Sequence, residues 1–419
     1  MTLTELLESV RRASHALAAG LFVLFALTSR AGSEPTTLAE LNAWYPAVPA
    51  DQNAAVVYAE AFALLSENAS DPIPTPAVSQ KLLALLHRAA ELPSCRYPID
   101  LAAGYQTKLP HLAKIKQAAE FLKLEAIAYA SKGYADLAVQ SIQANLGLAR
   151  SLEPEPLLIS QLVRTAVIAL TTIGLERSLW QKPFSDEQLA QLQISMKAAE
   201  TNDAEAYKRA FIGERCCGLT TFQSPIEFFK LGAVELPNSA SEVTPEFESL
   251  VASYVKGGTN KLEQIYYLQQ MGFAISMSEL PFPERLDQAE IWRARVSFEN
   301  TNGFLISPCL LPAMAGAQKK SAGGVAVLRV AQTVLAIERY RLANTNALPS
   351  SLTKLVPQFI QAVPADPFDG KPLRFKLIPK RGYMVYSIGL DRVDDGGIHK
   401  PEKPLAGSHY DLAITVLRK

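Results

Sequence analysis

The chain is short of the residues that usually announce chemistry. Its four cysteines, Cys95, Cys216, Cys217 and Cys309, form no CxxC pair. A zinc knuckle or a thioredoxin-like redox motif is therefore unsupported by spacing. The five histidines, His15, His87, His111, His399 and His409, are scattered, and no HExxH is present, which removes the zincin pattern. There is no GxSxG elbow and no GxxxxGK[ST] loop, so the common serine-hydrolase and phosphate-cradle signatures are missing. Charge of one sign is lacking as well. Forty-one Lys and Arg balance 41 Asp and Glu, and no basic run with interleaved aromatics occurs. Nothing in this balance calls for a nucleic-acid partner. No carboxylate pair stands out as an acid/base couple, and the sequence identifies no catalytic residue.

What is present is globular. Hydrophobic residues make up 48% and charged residues 20% of 419 positions, which excludes disorder and leaves room for two or three domains. Residues 13–29, ASHALAAGLFVLFALTS, carry no permanent charge; Arg11 and Arg12 precede them, and Arg30 and Gly32-Ser33-Glu34-Pro35 follow. A basic flank, an apolar core and a small-residue exit make a secretory signal, with Ser29-Arg30-Ala31 as a cleavage site. The same run is near the short limit of a bilayer span, so an uncleaved anchor fits equally. In both cases the basic flank keeps the N-terminus cytoplasmic and sends the rest outward. The expectation is an exported protein, periplasmic or membrane-anchored, touching membrane through 13–29 if uncleaved. Export permits disulfides among the four cysteines, and four partly buried free thiols are the alternative.

Residues 36–321 read as a helical body. Leu82, Leu85, Leu86 and Ala89 fall on one helical face. Residues 111–152 read as a helical hairpin turning at Lys132-Gly133. Its spacing is similar to one tetratricopeptide unit, but no second copy follows at the right period, so a solenoid is not established. His111, after Pro110, reads as a cap or surface residue. Residues 157–180 are the most apolar internal stretch. Arg164 and Glu176 leave only residues 165–175 uncharged between them, too few to span a bilayer, which makes this a core helix with Arg164 on its less buried side or paired. Ser185 with Gln188 forms a capping box, and Thr244-Pro245 starts another helix that ends at Gly257-Gly258. Residues 303–316 are apolar, interrupted by Pro308 and Pro312, and read as core rather than as a contact surface.

From about 322 the grammar changes. Val327, Val330, Val334 and Ile337 share a helical face up to about Ala343, and Pro349-Ser350-Ser351 caps a short helix. Leu373, Phe375 and Leu377 alternate with polar residues, Tyr383–Ile388 alternates again, and Tyr410–Val416 makes a third strand. The predicted fold is mainly α: a multi-helical body followed by a small α+β module, a helix on a three-stranded antiparallel sheet. The ordered run ERYRLANTNALPSSL, VPADPFDGKPLRF, YMVYSIGLDRVDDGG and HYDLAI resembles the globular half of the type II secretion major pseudopilin. The resemblance covers under a quarter of the chain. The polymerising N-terminal helix of that family is absent, so the likeness implies a borrowed module and not a pseudopilin subunit.

The resemblance also implies calcium. In that family the Asp after the S-x-G-x segment and the Asp opening the last strand bind the ion with loop carbonyls. The matching residues are Asp391 and Asp411, with Asp394 and Asp395 in the same loop. A hard cation that takes six to eight oxygens suits such a loop. A solvated acidic turn is the other reading of the same residues, favoured by the long segment between Asp391 and Asp411 with Pro401 and Pro404.

Three functional classes follow. The first is a non-enzymatic envelope protein whose helical body offers contact surfaces to an envelope partner; an open groove or flat apolar patch would favour it. The second is a hydrolase-type enzyme with a cleft in the helical body, favoured by a large apolar pocket with convergent charges. The third is a helical-repeat peptide binder, which needs repeated hairpins.

Overall fold

The computed structural model describes residues 34–65, 76–181, 184–231, 243–298, 303–379, 381–398 and 410–417. The signal or anchor at 13–29, His15, His399, His409, Pro401 and Pro404 lie outside the described residues. Residues 35–419 form one structural unit. Among the described residues it holds thirteen α-helices followed by a three-stranded antiparallel sheet, the mainly α architecture that the periodicities predict.

The first helices are α1 (Leu38–Trp44), α2 (Ala54–Phe62) and α3 (Pro76–Glu91). The hairpin follows as α4 (Pro110–Lys132) and α5 (Ala135–Ser151). Gly133 sits between them at φ 82°, a left-handed conformation that a Cβ would strain, and it reverses the chain. Next come α6 (Leu158–Gln181), α7 (Asp186–Thr201), α8 (Asp203–Thr221), α9 (Pro225–Lys230), α10 (Pro245–Lys256), α11 (Thr259–Met277) and α12 (Glu284–Phe298). Two of the expected caps stand where the sequence puts them, whereas Ser351, before the short 3-10 helix Leu352–Leu355, makes no side-chain cap bond. Ser185 and Gln188 exchange bonds at the start of α7, and the Thr244 hydroxyl accepts from Phe247 N at the start of α10.

The longest helix, α13, runs from Ser307 to Ala343. The expected junction at 321/322 falls inside it, so body and sheet module share one continuous element. Pro308 occupies its first turn and Pro312 lies inside it. Its N-terminal half packs with α8 and α10–α12 around Tyr207, Phe211, Tyr267, Met271 and Trp292. Its C-terminal half packs on α6, α7 and the sheet, within the core that α1–α5 also build. Helices α6 and α13 are both long and apolar enough to cross a membrane by length and composition; they are largely buried inside the protein and act as its central struts.

The sheet order is β1 (Arg374–Ile378), β2 (Gly382–Ser387), β3 (Leu412–Leu417). Phe375 faces Val385, and Tyr383 faces Val416. The outer edge of β3 is covered by α6. Trp180 Nε1 donates to Thr415 O at 2.6 Å, and Thr415 N donates to Glu176 Oε1 at 2.8 Å. An edge strand that would otherwise offer open amides is thereby closed.

Two buried carboxylates fix the loops. Asp366, fully buried, accepts from Phe368 N, Ile388 N, Ser387 Oγ and Arg374 Nη1 at 2.7–3.0 Å. Glu263 on α11, also fully buried, accepts from Leu305 N at 3.0 Å and Ile306 N at 2.9 Å, from Ser307 N, and from Tyr254 Oη. An anion supplied by α11 thus meets the free amides at the start of α13, where the helix dipole favours it.

Candidate functional site

The acidic loop is partly assembled. Asp411 opens β3 and is nearly fully buried. Its Oδ2 accepts from Gly397 N at 2.6 Å, and its Oδ1 lacks a hydrogen-bond partner of good geometry. Burial first, and then the nearby Asp394 and Asp395 charges, push its carboxyl above the usual range, against the pull of the Gly397 and Asp395 amides. Asp394 accepts from Gly396 N at 3.0 Å and lies 3.6 Å from Arg374 Nε. Asp391 accepts from Val393 N at 3.2 Å. Asp394, Asp395 and Asp411 are therefore electrostatic neighbours. Asp391 and Asp394 spend one oxygen each on turns of the kind that Asp favours. Among the described residues no three His, Cys, Asp or Glu side chains converge as a metal cluster. None of the four cysteines is in a disulfide, and Cys95, Cys216 and Cys217 are buried.

A second polar concentration lies in the helical body, and the sequence reading missed it. His111 is buried at the start of α4, which corrects its reading as a cap or surface residue. Its ring stacks on Tyr97 with centroids 4.3 Å apart. Its Nε2 lies 2.7 Å from Glu155 Oε1, a close contact whose angle falls outside hydrogen-bond geometry. Ser160 Oγ donates to the other oxygen of Glu155 at 2.5 Å. The order is Ser–Glu–His. Nucleophilic catalysis of the serine type needs the imidazole to touch the hydroxyl, and here the carboxylate stands between them. All three groups are also buried. The geometry is that of a structural clamp tying the chain at 155–160 to α4.

Arg164 on α6 is buried and paired. It donates to Asp203 Oδ1 at 2.9 Å, to Ala199 O at 2.8 Å and to Glu153 Oε1 at 3.4 Å. Ser321 of α13 donates to the second oxygen of Asp203. This network binds α6, α7, α8 and α13 together.

Beside it runs a cleft along α5, made of two adjoining cavities of about 470 and 390 Å³. Gly147, Arg150, Glu153 and Asn202 line both. A Cβ on Gly147 would lie 2.6 Å from Ala90 Cβ, so glycine lets α5 approach α3 there. Neither cavity is a large apolar pocket; polar and small apolar side chains mix in both.

The outer face of α11 is different in kind. Leu262 (64% exposed), Ile265 (55%), Leu268 and Phe273 stand in solvent, and the uncharged Gln269, Gly272 and Ser276 lie among them. Lys261 is the only charged residue of α11 besides the buried Glu263. Leu250 and Val255 of the adjoining α10 are exposed as well.

No family model matches the chain, and no curated protein or solved structure matches it.

Proposed function

We propose that this chain is an exported, non-enzymatic interaction protein of the cell envelope, which presents the outer face of α11 to a protein partner. The observation that carries this reading is the uncharged run of exposed apolar side chains on that face. Helices on soluble surfaces ordinarily turn a charged or polar side outward, and contiguous exposed apolar residues mark contact sites. A partner with a complementary apolar helix would bury Leu262, Ile265, Leu268 and Phe273 together, at roughly 1.5–3 kcal/mol for each side chain fully buried. Such anchors dominate interfaces. The apolar run at 13–29 supports a location at the membrane. The mixed lining of the α5 cleft and the Ser–Glu–His order favour interaction over hydrolysis.

The test is capture from crosslinked membranes with wild-type chain and Ile265→Lys. One partner protein is expected with the wild type, reduced at least tenfold with the variant. Recovery of the bait alone, or equal capture by both, overturns the reading.

Within the pseudopilin-like module we propose that calcium orders the loop around Asp411, with Asp391, Asp394 and Asp395. The unmet Oδ1 of the nearly buried Asp411 supports this. The ion would neutralise charges that now repel one another. A melting curve in millimolar calcium should lie above one in chelator, and Asp411→Asn should abolish the difference. Superimposable curves for the wild type would remove calcium from the account.

A further inference from the structure

The two edges of the sheet differ. Helix α6 closes the outer edge of β3 through Thr415, whose N–H and C=O both turn away from β2. Thr415 stands opposite Met384, and Met384 stands opposite Lys376. Bonded and non-bonded pairs alternate along an antiparallel ladder, so Met384 turns its amide groups to β1 and exchanges bonds with Lys376. Phe375 and Leu377, on either side of Lys376, therefore point their N–H and C=O away from β2. The residues before β1 show the same parity, since Leu373 N donates outward to Pro364 O at 3.0 Å. Among the described residues neither Phe375 nor Leu377 has a backbone partner across this edge, and no other strand pairs with β1.

What borders the edge narrows the occupant. Phe375 and Leu377 share the sheet face of Val385, Tyr383 and Val416, the face that meets α13 where Tyr383 Oη donates to Glu338 Oε1 at 2.7 Å. At the rim of that face Phe375 is half-buried and Leu377 is 48% exposed. Beside them lies an open hollow of about 260 Å³, with Ser350, Thr353, Val363 and Phe375 in its wall. Lys376 is on the opposite face and exposed. Residues 350–363 and 371–381 contain no Asp or Glu, while Lys354, Lys371, Lys376 and Arg381 are all exposed. Arg374 is already matched by Asp366 and Asp369. The edge is thus open along its backbone, apolar on its inner side and bordered by positive charge.

We propose that β1 is a docking edge that takes an extended segment of a partner protein as a fourth strand, one in which apolar residues alternate with Asp or Glu. Side chains of an added strand alternate between the two faces of the sheet. Those on the side of Phe375 and Leu377 continue the apolar layer, and one of them fills the hollow. Those between fall on the side of Lys376, where a carboxylate is the favourable cross-strand neighbour. Backbone bonds to Phe375 and Leu377 supply the attachment, the mode of strand addition. The basic residues act against a second copy of this chain as the occupant, because like charges would then meet across the new ladder. This surface belongs to the sheet module, and the proposal stands or falls without the α11 reading.

The experiment is fluorescence anisotropy of the purified chain with labelled six-residue peptides. The probes are alternating Val and Glu, alternating Val and Lys, and the Val–Glu peptide N-methylated on either its Val or its Glu amides. The Val–Glu peptide is expected to bind at least tenfold more tightly than the Val–Lys peptide. Methylation of one set of amides should abolish binding and of the other set spare it, since only alternate amides face β1. Leu377→Pro removes an outward N–H that the β1–β2 ladder does not use, and it should abolish binding. Lys376→Glu changes an exposed side chain, so it serves if the proline variant fails to fold; it should shrink the preference for Val–Glu at least threefold. Failure of the Val–Glu peptide to bind overturns the proposal. So does equal binding of the Val–Glu and Val–Lys peptides, binding insensitive to both methylations, or an unchanged preference in Lys376→Glu. A dimer seen by sedimentation that Leu377→Pro removes would assign the edge to a second copy and overturn it as well.

Discussion

Helices α6 and α11 carry similar loads. Both are long and largely apolar, and each buries one charged side chain that the protein neutralises. In α6 that side chain is Arg164, met by Asp203 and Glu153. In α11 it is Glu263, met by the amides at the start of α13. Their surroundings then diverge. Helix α6 is packed on by α4, α5, α8, α13 and β3, so most of its apolar residues face protein, with Ile159 and Trp180 the large exceptions. Helix α11 is packed on by α8, α10, α12 and α13 and still turns Leu262, Ile265, Leu268 and Phe273 to solvent. Composition sets how much apolar surface a helix has. The number of neighbours sets how much of it remains to be covered, and on α11 the remainder is what a partner would take.

The largest effect expected from this comparison lies at the buried charge of α6. Arg164→Met leaves Asp203 and Glu153 without their cation, and the expected loss is about 3–5 kcal/mol, read from urea denaturation. A loss under roughly 1 kcal/mol would mean that the network does not tie the helices as described.

The next effect separates the two helices directly. Leu175→Ala, inside α6, should cost about 2–5 kcal/mol. Ile265→Ala, on the outer face of α11, should fall within about 0.5 kcal/mol of wild type. Equal losses would show that the α11 face is already covered within the chain.

The smallest effect concerns His87, at the rim of the α5 cleft. Burial holds its imidazole below the ordinary value, with Glu91 pulling weakly the other way. The unfolded chain therefore takes up the proton first as pH falls. Stability is lost as pH drops through the ordinary imidazole value, and the loss levels off once the folded form is protonated. His87→Gln should flatten the denaturation midpoint between pH 7 and 5. An unchanged slope would mean that the ring is better solvated than its buried Nε2 indicates.

Local signals made much of this fold legible. Ser185 and Gln188 mark the start of α7, Gly133 marks the hairpin, and alternation around Phe375 and Tyr383 marks the sheet. Each of these depends on residues close in sequence. The α11 face was not legible, because periodicity shows that a helix has an apolar side but not whether anything lies against it. Glu155 was hidden for the same reason. It gains meaning only beside His111, which is far away in the chain. The acidic loop was legible as a cluster, and the structure adds that Asp411 is its buried member. Arg164 was read as less buried or paired, and the choice between the two came from Asp203 on another helix.

The most direct measurement places a photo-crosslinking amino acid at position 265 of α11 and, in a second chain, at position 159 of α6. Ile159 is 49% exposed and stands alone among less exposed neighbours, so it controls for mere accessibility. In intact membranes, position 265 is predicted to give one crosslinked partner protein and position 159 none. Equal labelling from both positions, or adducts from 265 only to lipid or to a second copy of the chain, would contradict the account.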